Sequence, residues 1–432
     1  MSIEYLKQAP LFDAEVDEQV RRTVDRMLAR IERDPEAAIR DYSRELDEWD
    51  PPSFLVGEAE IERAATEVDA ELAAHIGFAQ DQVRAFAEAQ LQTLTDLELE
   101  TLPGVTLGHR HIPVGAVGSY VPGGRYPMLA SAFMTVIVPK VAGVERVVAC
   151  APPQGASGIH PTMLHAMASS GADQVLCLGG VQALAAMAFG IEGLGPVDMI
   201  VGAGNAYVAE AKRQLFGKVG IDLLAGPTEV AIIADESADP EILAADLLGQ
   251  AEHGPTSAAV LITTSRRLGE AVLGQIDSLL VTLPTADVAE RSWQAHGSIA
   301  VVSSREEAVE LSDQIAPEHL EVQVAEEEIA TYHDQLRNYG SLFLGAQATV
   351  AYGDKAVGTN HVLPTMRAAR YTGGLWVGKF LKTCTFQRLT EEGTRRVAPA
   401  VAAISTEERF AGHALTATMR LQRLEAAGDP AR

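Results

Sequence analysis

The sequence predicts an α/β protein with two parallel-sheet units, and two observations lead to that prediction. From about residue 112, short runs of β-branched residues alternate with alanine-rich stretches of helical character. A second series of the same alternation follows in the C-terminal half of the chain. Strands that alternate with helices are typical of parallel sheets covered by helices on both faces. With 432 residues, the chain is long enough for two or three domains with full cores.

The first series supplies five strand candidates and four helix candidates. The strands are predicted at residues 114–121, 146–149, 174–178, 198–201 and 229–233. The helices are predicted at residues 128–142, 161–169, 181–189 and 206–216. The turn Gly202-Ala203-Gly204-Asn205 follows a strand and opens a helix, so its backbone amides can meet a phosphate group. Glycine turns of this kind also serve purely structural purposes, and neither series contains G-x-G-x-x-G after a strand.

The second series predicts four more strands and four more helices. The strands are at residues 258–263, 298–302, 321–324 and 341–344, and the helices at 242–251, 267–280, 306–315 and 327–339. Residues 14–95 are predicted to be mostly helical, with Asp34 as an N-cap before Pro35, and no chemistry is placed there. After Phe380 the chain is predicted to be helical again, and polar enough to be an extension rather than a core.

The composition narrows the classes of function. The chain has 59 acidic against 34 basic residues, and its net charge of −25 repels phosphate backbones, which excludes nucleic acid as a partner. No polybasic or long apolar segment indicates contact with a membrane. The N-terminus lacks a signal pattern, and the three cysteines share no metal-like spacing. These features predict a cytoplasmic protein with reduced cysteines.

Four scattered side chains have the chemistry of metal ligands. Gln250 and His253 are three residues apart on a predicted helix and therefore share one face. Asp354 lies in a predicted glycine-bounded loop, and His413 offers a second imidazole near the end of the chain. One carboxylate, two imidazoles and an amide oxygen suit Zn²⁺, or Mn²⁺ as a harder substitute. Spacing leaves open whether the four meet, and a helix-capping role is the alternative for His253.

Two further positions are candidates for proton transfer. Glu318 and His319 are adjacent, and strand alternation would aim their side chains differently, so that one could act on a substrate proton while the other handles water. A solvated loop is the alternative for this pair. His361 lies in Thr359-Asn360-His361, where an ordinary hydrogen-bonded loop histidine is the alternative.

These fragments together resemble the histidinol dehydrogenase family. The matches extend in family order from about residue 110 to the C-terminus and are therefore far more specific than any one motif. Besides the Gln250/His253 segment they are Tyr120-Val121-Pro122-Gly123-Gly124, Gly179-Gly180-Val181-Gln182-Ala183, Gly202-Ala203-Gly204-Asn205-Ala206, Ala225-Gly226-Pro227-Thr228-Glu229, Pro317-Glu318-His319, the run from Asp354 to Pro364, and Glu408 to His413. The resemblance implies an enzyme with one Zn²⁺ per subunit that uses two NAD to oxidise a primary alcohol through an aldehyde to a carboxylate.

The resemblance also implies a role for each matched residue. The implied zinc ligands, which would also contact substrate, are Gln250, His253, Asp354 and His413. The implied acid–base pair is Glu318 and His319. Further substrate contacts would come from Thr228, His361 and Glu408. NAD contacts would come from Tyr120, Gln182 and Asn205.

The family architecture implied here is a domain-swapped homodimer of two Rossmann-like units, in which the His413 position serves the partner's site. The expected boundaries are an N-terminal arm at 1–20, a first α/β domain at 21–119 and 230–372 that includes the N-terminal helices, a second α/β domain with the NAD contacts at 120–229, and a helical dimerisation tail at 373–432.

The sequence departs from the pattern of the biosynthetic enzyme near the substrate site. It adds Arg125, Arg367 and Trp376, and has Thr228 where serine is usual and Ala203 where proline is usual. This resembles the divergent branch of the family that oxidises 2,3-dihydroxypropane-1-sulfonate, because extra guanidinium groups suit an anionic substrate. L-histidinol is the alternative substrate, and pairing with the acidic surface is the alternative role for the arginines.

Two other classes of function fit the sequence less well. A catalytically idle homologue would need to have lost a ligand or the acid–base pair, and every one of these residues is present. A metal-dependent hydrolase could use the same ligands without NAD, but the matches at Tyr120, Gln182 and Asn205 argue against it.

Overall fold

The computed structural model describes residues 3–10, 18–123 and 126–427. Arg125 and much of the predicted N-terminal arm lie outside these ranges. The chain divides into a first unit of residues 1–89 and 114–380 and a second unit of residues 90–113 and 381–432. No helix among the described residues is long and apolar enough to cross a bilayer.

The chain alternates strands and helices through most of its length. The strands are β1 (Glu4–Lys7), β2 (Leu97–Leu102), β3 (Val105–Pro113), β4 (Ala116–Tyr120), β5 (Arg146–Ala151), β6 (Gln174–Cys177), β7 (Met199–Val201), β8 (Gly220–Ile221), β9 (Glu229–Ala234), β10 (Ala258–Thr263), β11 (Gly297–Val301), β12 (His319–Gln323), β13 (Ser341–Leu344) and β14 (Leu381–Leu389). The helices are α1 (Glu18–Arg33), α2 (Pro35–Asp47), α3 (Glu58–Glu67), α4 (Ala70–Gln92), α5 (Leu129–Val141), α6 (Pro161–Ser169), α7 (Gly180–Phe189), α8 (Ala206–Leu215), α9 (Pro240–Ala251), α10 (Arg266–Leu280), α11 (Ala286–His296), α12 (Arg305–Ile315), α13 (Glu326–Gln335), α14 (Val350–Lys355), α15 (Glu391–Glu407) and α16 (Ala411–Ala427).

The first unit contains a parallel five-stranded sheet with the order β6-β5-β4-β7-β8. The chain starts at the central strand β4, builds outward to β6, and then returns to build the other side. This order, 3-2-1-4-5 in chain order, corresponds to five strands of the doubly wound Rossmann sheet, with the switch point between β4 and β7. Helix α1 packs against α7 and α8, and helix α2 packs against α7. Val24 and Ile31 of α1 belong to the same hydrophobic core as Val148 and Leu176 of the sheet.

A second sheet of the first unit has six strands in the order β1-β11-β10-β9-β12-β13. Strand β1 is antiparallel to β11, and the other pairs are parallel. Strand β9 was predicted in the first series but lies inside this sheet, between β10 and β12. The predicted domain boundaries grouped residues 21–119 with 230–372, whereas the helices α1 and α2 pack on the five-stranded sheet instead.

The second unit differs most from the sequence prediction. Residues after Phe380 were predicted to be helical, but the nine residues of β14 form a strand before α15 and α16 begin. Strand β14 pairs antiparallel with β3 along its full length, and β3 pairs with β2. The strand is stabilised by pairing with residues far away in the chain, which local polarity does not reveal.

Candidate active site

The amino-terminal edge of the six-stranded sheet carries the predicted acid–base pair. His319 is the first residue of β12, and Glu318 precedes it. The Glu318 carboxylate accepts hydrogen bonds from the Thr228 hydroxyl at 2.5 Å and from the Glu229 backbone N–H at 3.0 Å. Its Oε2 atom lies 3.6 Å from His319 Nδ1. Strand alternation was predicted to aim the two side chains differently; strand β12 begins only at His319, so the alternation does not extend to Glu318.

His319 is buried, with 2% of its surface exposed, and its two nitrogens have different neighbours. Nδ1 lies 3.0 Å from the backbone carbonyl of Glu229, so a proton on Nδ1 is donated there. Nε2 lies 3.5 Å from Asp354 Oδ1 and has no hydrogen-bond partner among the described residues. Burial opposes the charged form, but the carboxylates of Glu318 and Asp354 outweigh it and raise the pKa of His319 to about 9. Nε2 is therefore the nitrogen that can exchange a proton with a substrate.

The pKa values of the two carboxyl groups beside His319 shift in opposite directions. Burial raises the pKa of Glu318 to about 7, although His319 and the hydrogen bond from Thr228 work against this. Burial also raises the pKa of Asp354, but the His319 imidazole outweighs that effect and lowers the pKa to about 2. One carboxyl thus titrates near neutral pH while the other stays ionised, a division that suits a proton-transfer group beside a cation ligand.

Three of the four predicted metal ligands lie near this pair. Gln250 is 2% exposed; its Nε2 donates to the Thr228 hydroxyl at 2.7 Å, and its Oε1 has no partner among the described residues. His253 Nε2 lies 4.0 Å from Asp354 Oδ2, and one third of the His253 side chain is exposed. A buried amide oxygen left unpaired costs free energy unless it binds something. An amide oxygen, an imidazole and an ionised carboxylate fit a divalent cation such as Zn²⁺.

The remaining predicted ligand, His413, belongs to helix α16 in the second unit, and Glu408 follows helix α15 in the same unit. Both residues are exposed. Within the described ranges, no three His, Cys, Asp or Glu side chains are placed to hold a metal ion.

His361 is held on both sides. Its Nε2 lies 2.8 Å from the Ser131 hydroxyl on α5, and its Nδ1 lies 3.3 Å from the backbone carbonyl of Asp354. Burial lowers its pKa. Asp354 was predicted in a loop but lies in the short helix α14, so His361 ties that helix to α5. Its predicted contact with substrate stays a prediction.

A buried carboxyl cluster, which the sequence did not reveal, lies behind these residues. It consists of Asp246, Glu321, Gln323 and Thr349. Gln323 Nε2 donates to both carboxyl groups at 2.9 Å, and the Thr349 hydroxyl donates to Asp246 at 2.9 Å. Glu321 also accepts from the backbone N–H of Val350 at 2.9 Å, which caps helix α14. The carboxyl cluster thus joins α9, β12 and α14, the three elements that carry Gln250, His319 and Asp354.

We expect Glu321→Gln to flatten the pH dependence of stability. Burial and the neighbouring Asp246 raise the pKa of Glu321 to about 8. At this carboxyl the folded chain then binds more protons than the unfolded chain between about pH 4.5 and 8, so the contribution of Glu321 to the free energy of unfolding falls as pH rises through this range. Glutamine keeps the shape and cannot ionise. Urea unfolding should therefore show that the free energy of unfolding of the variant, relative to the wild type, is higher at about pH 8 than at about pH 5.

The control for this prediction is Glu327→Gln, at the exposed start of α13. Its stability relative to the wild type should not change between the two pH values. An equal pH slope for Glu321→Gln and the wild type would show that Glu321 does not carry a proton in the fold.

The three predicted NAD contacts lie at the carboxyl edge of the five-stranded sheet. Tyr120 ends β4, and its hydroxyl accepts from the Gly180 backbone N–H at 3.2 Å. Gln182 lies in the first turn of α7, and Asn205 caps α8, where its Oδ1 accepts from two backbone N–H groups. Gly202 has φ 111°, and a Cβ atom there would lie 2.1 Å from the Tyr120 carbonyl oxygen. Parallel α/β sheets bind ligands at this edge, beside the switch point.

A buried ion pair fixes the Gly202 turn. Lys212 Nζ contacts Asp222 and donates to the Gly202 carbonyl at 2.8 Å, and Asp222 Oδ2 accepts from the Gly202 backbone N–H at 2.8 Å. We expect Lys212→Met to reduce the free energy of unfolding by about 3–5 kcal/mol, because it leaves the Asp222 charge buried without its partner. Urea unfolding at neutral pH measures the loss.

The matched control is Lys140→Met, which removes a half-exposed pair with Asp173. This change should cost no more than about 1 kcal/mol. Similar losses in the two variants would show that burial does not set the energy of the Lys212 pair.

The comparisons with known proteins agree with this geometry. The sequence model described as histidinol dehydrogenase matches residues 13–421. The chain belongs to the histidinol dehydrogenase family. A crystal structure of histidinol dehydrogenase from Elizabethkingia anophelis superposes with a TM-score of 0.90 at 33% identity, covering 97% of this chain and 95% of that one. The predicted family and the α/β fold with parallel sheets are both confirmed, and the chain is a member of an oxidoreductase family.

Relatives within the histidinol dehydrogenase family carry different names. The chain is 53% identical to a histidinol dehydrogenase homolog from Shouchella clausii, over 94% of this chain and 95% of that protein. It is 48% identical to sulfopropanediol 3-dehydrogenase from Ruegeria pomeroyi, over 98% and 97%. It is 40% identical to histidinol dehydrogenase from Methanosarcina mazei, over 91% and 90%.

Proposed function

We propose that the chain is a zinc- and NAD-dependent dehydrogenase that oxidises a primary alcohol through an aldehyde to a carboxylate. The observation that carries this proposal is the unpaired, buried Oε1 of Gln250 near His253, Asp354 and the buried acid–base pair. Each oxidation step releases two electrons to one NAD, so four electrons and two NAD are used per substrate. Membership of the histidinol dehydrogenase family supports the same reaction.

The zinc ion, held by Gln250, His253, Asp354 and the partner's His413, would supply a Lewis acid next to the substrate hydroxyl, and NAD would accept hydride. His319 Nε2 takes the hydroxyl proton, because Nδ1 is occupied by the Glu229 carbonyl. Its raised pKa means that the fraction of base increases with pH towards about 9.

Glu318 is suited to the second oxidation. Water adds to the aldehyde carbonyl, and its proton passes to a carboxylate whose pKa is about 7. The hydrogen bonds from the Thr228 hydroxyl and the Glu229 N–H fix the Oε2 atom of Glu318. Burial of both members of the acid–base pair keeps bulk water from competing for the same proton positions.

For the substrate we propose a small anionic diol such as 2,3-dihydroxypropane-1-sulfonate, which would be oxidised to sulfolactate. The chain is 48% identical to a sulfopropanediol 3-dehydrogenase and 40% identical to the Methanosarcina histidinol dehydrogenase. Oxidation of L-histidinol to L-histidine is the second candidate, because relatives named for that activity match most of the chain.

The loop that carries Arg367 supports an anionic substrate. Thr365 accepts from the Gly226 N–H at 2.6 Å, and the Met366 N–H donates to the Glu229 carboxyl at 3.2 Å, which fixes the loop beside the acid–base pair. Arg367 has φ 64°, is exposed, and forms no ion pair with a described residue. An unpaired guanidinium in a chain of net charge −25 is available to a sulfonate. Trp376, which also departs from the pattern of the biosynthetic enzyme, packs its ring against Gly378.

We also propose a homodimer in which the second unit completes the partner's site with Glu408 and His413. Among its described residues, the buried hydrophobic side chains are Val105, Ala398 and Ala417. Its large apolar side chains are exposed instead: Leu97, Leu99, Leu102, Leu107, Phe386, Leu389, Val401, Ile404, Phe410, Leu415 and Met419. Exposed apolar surface of this extent marks an interface, and exchange of a terminal element between protomers is a common route to dimers.

The proposed location is the cytoplasm. Cys150 and Cys177 are buried free thiols, and Cys384 is an exposed free thiol. Free thiols in all three positions suit a reducing compartment.

The decisive experiment is an NAD-reduction assay of the purified protein with the diol sulfonate and L-histidinol in parallel. NADH is followed by absorbance, and the remaining substrate is quantified at the same time. Two NADH per molecule consumed is the expected ratio. One NADH with accumulating aldehyde would defeat the four-electron scheme, and consumption of substrate without any NADH would exclude an NAD-linked oxidation. The substrate with the higher kcat/KM decides between the two candidates.

A further inference from the structure

Asp47 brings an unpaired carboxylate to the carboxyl edge of the five-stranded sheet. It is the last residue of α2, in the N-terminal region where the sequence indicated no chemistry. Its Oδ2 accepts from Gln182 Nε2 at 2.8 Å, and the Gly179 backbone N–H also donates to the carboxylate. It forms no ion pair with a described residue, and burial raises its pKa. A partly buried carboxylate without a cation is costly, which indicates that another group completes its environment.

Gln182 adds a second acceptor at the same place. Its Nε2 is used by Asp47, and its Oε1 is buried, with the residue only 1% exposed, and has no partner among the described residues. The turn beneath them is formed by Gly179 and Gly180. A Cβ atom on Gly179 would lie 3.3 Å from both Asp47 oxygens, so glycine there leaves the carboxylate accessible from the turn.

These groups define the chemistry of the ligand that fits. A carboxylate without a cation and an amide oxygen without a donor fit a pair of hydroxyl groups, and they repel an anion. The Tyr120 hydroxyl accepts from Gly180, so its own proton can be donated to a third oxygen. A ribose with two free hydroxyls has this pattern, whereas a ribose with a 2′-phosphate brings a negative charge against the carboxylate.

We propose that Asp47 is a specificity-determining residue that accepts hydrogen bonds from a ribose of the dinucleotide and excludes a 2′-phosphate at that position. The proposal rests on the proposed function, in that a nicotinamide dinucleotide binds at this sheet edge. The ribose-binding carboxylate comes from helix α2, outside the strand–turn–helix segment that holds the dinucleotide. The Gly179–Gly180 turn therefore needs no acidic residue of its own for this purpose.

Two variants of the full chain test the two parts of the proposal. Asp47→Ala removes both acceptors and should weaken NADH binding about tenfold or more. Asp47→Asn removes only the charge, so NADPH binding should improve and the ratio of NADPH to NADH dissociation constants should fall about tenfold. The dissociation constants of NADH and NADPH are measured by titration of nucleotide fluorescence without the alcohol substrate. The KM values for NAD and NADP are then compared with each other at a saturating concentration of that substrate.

Glu48→Gln is the matched control, since it removes one negative charge from the next residue, which is exposed. Its nucleotide ratio should equal that of the wild type. If Asp47→Asn and Asp47→Ala weaken both nucleotides equally, Asp47 has only a structural role and the proposal is overturned. A wild-type chain that binds NADH but is unaffected by either substitution overturns the proposal alone, whereas a wild-type chain that binds neither nucleotide overturns the proposed function as well.

Discussion

Replacement of His319 by asparagine should lower kcat/KM about 10²- to 10⁴-fold while zinc stays bound. Asparagine can still place a hydrogen-bonding group near the Glu229 carbonyl, which now accepts from His319 Nδ1 at 3.0 Å. It supplies no basic nitrogen in the place of Nε2, which has no partner among the described residues. The loss should therefore fall on the proton-transfer step. Zinc content by elemental analysis separates this effect from loss of the metal.

The pH profile provides a second reading of the same variant. Because Glu318 and Asp354 overcome burial and raise the pKa of His319 to about 9 in the metal-free chain, wild-type activity should increase with pH on the acidic side of the profile. In His319→Asn this increase of activity with pH should be absent. His333→Asn, at a position in α13 remote in sequence from the matched motifs, is the control and should keep wild-type activity. Full activity in His319→Asn would remove His319 from the acid–base pair.

Local sequence signals predicted much of the fold. Residues 161–169, 258–263 and 341–344 were predicted as one helix and two strands, and they form α6, β10 and β13 with the same bounds. Intrinsic preference explains this for β10, which contains the β-branched residues Val260, Ile262 and Thr263 and is buried after its first residue. Strand β14 was missed because its residues are polar and exposed, and only its pairing with β3 makes it a strand.

The candidate site shows the same limit. Glu318 and His319 are adjacent in sequence, so their proximity follows from connectivity. The contact between Asp47 and Gln182 spans 135 residues, and nothing in either local sequence indicates it. The carboxyl cluster likewise joins Asp246 and Thr349 across 103 residues. Convergence of this kind depends on sheet order, which composition and spacing do not determine.

Two inactive variants should regain activity when their subunits are mixed, if each site takes His413 from the partner subunit. His413→Ala removes a zinc ligand, and Glu318→Gln removes the base that acts on water. Each homodimer lacks one essential group in every site and should be inactive, and His413→Ala should also bind less zinc. In a mixed dimer, one site combines both damaged groups, and the other combines Glu318 from one chain with His413 from the other chain.

The size of the recovery follows from this arrangement. Random exchange makes about half of the dimers mixed, and one of the two sites in each is intact, so the mixture should reach about a quarter of wild-type activity. The variants are unfolded in urea, combined, refolded with zinc, and assayed by NADH formation. Each variant refolded alone gives the baseline. A tag on one variant allows the mixed dimers to be isolated and counted.

The matched control separates exchange between chains from accidental recovery. Glu318→Gln and Asp354→Ala alter two residues of the same unit, which lie around the same imidazole, His319. Every site of their mixed dimer keeps one of the two defects, so no activity should return. Recovery in both mixtures would indicate reversion or contamination. An inactive Glu318→Gln/His413→Ala mixture in which mixed dimers are isolated would mean that each chain supplies its own His413. The exposed apolar side chains of the second unit favour recovery.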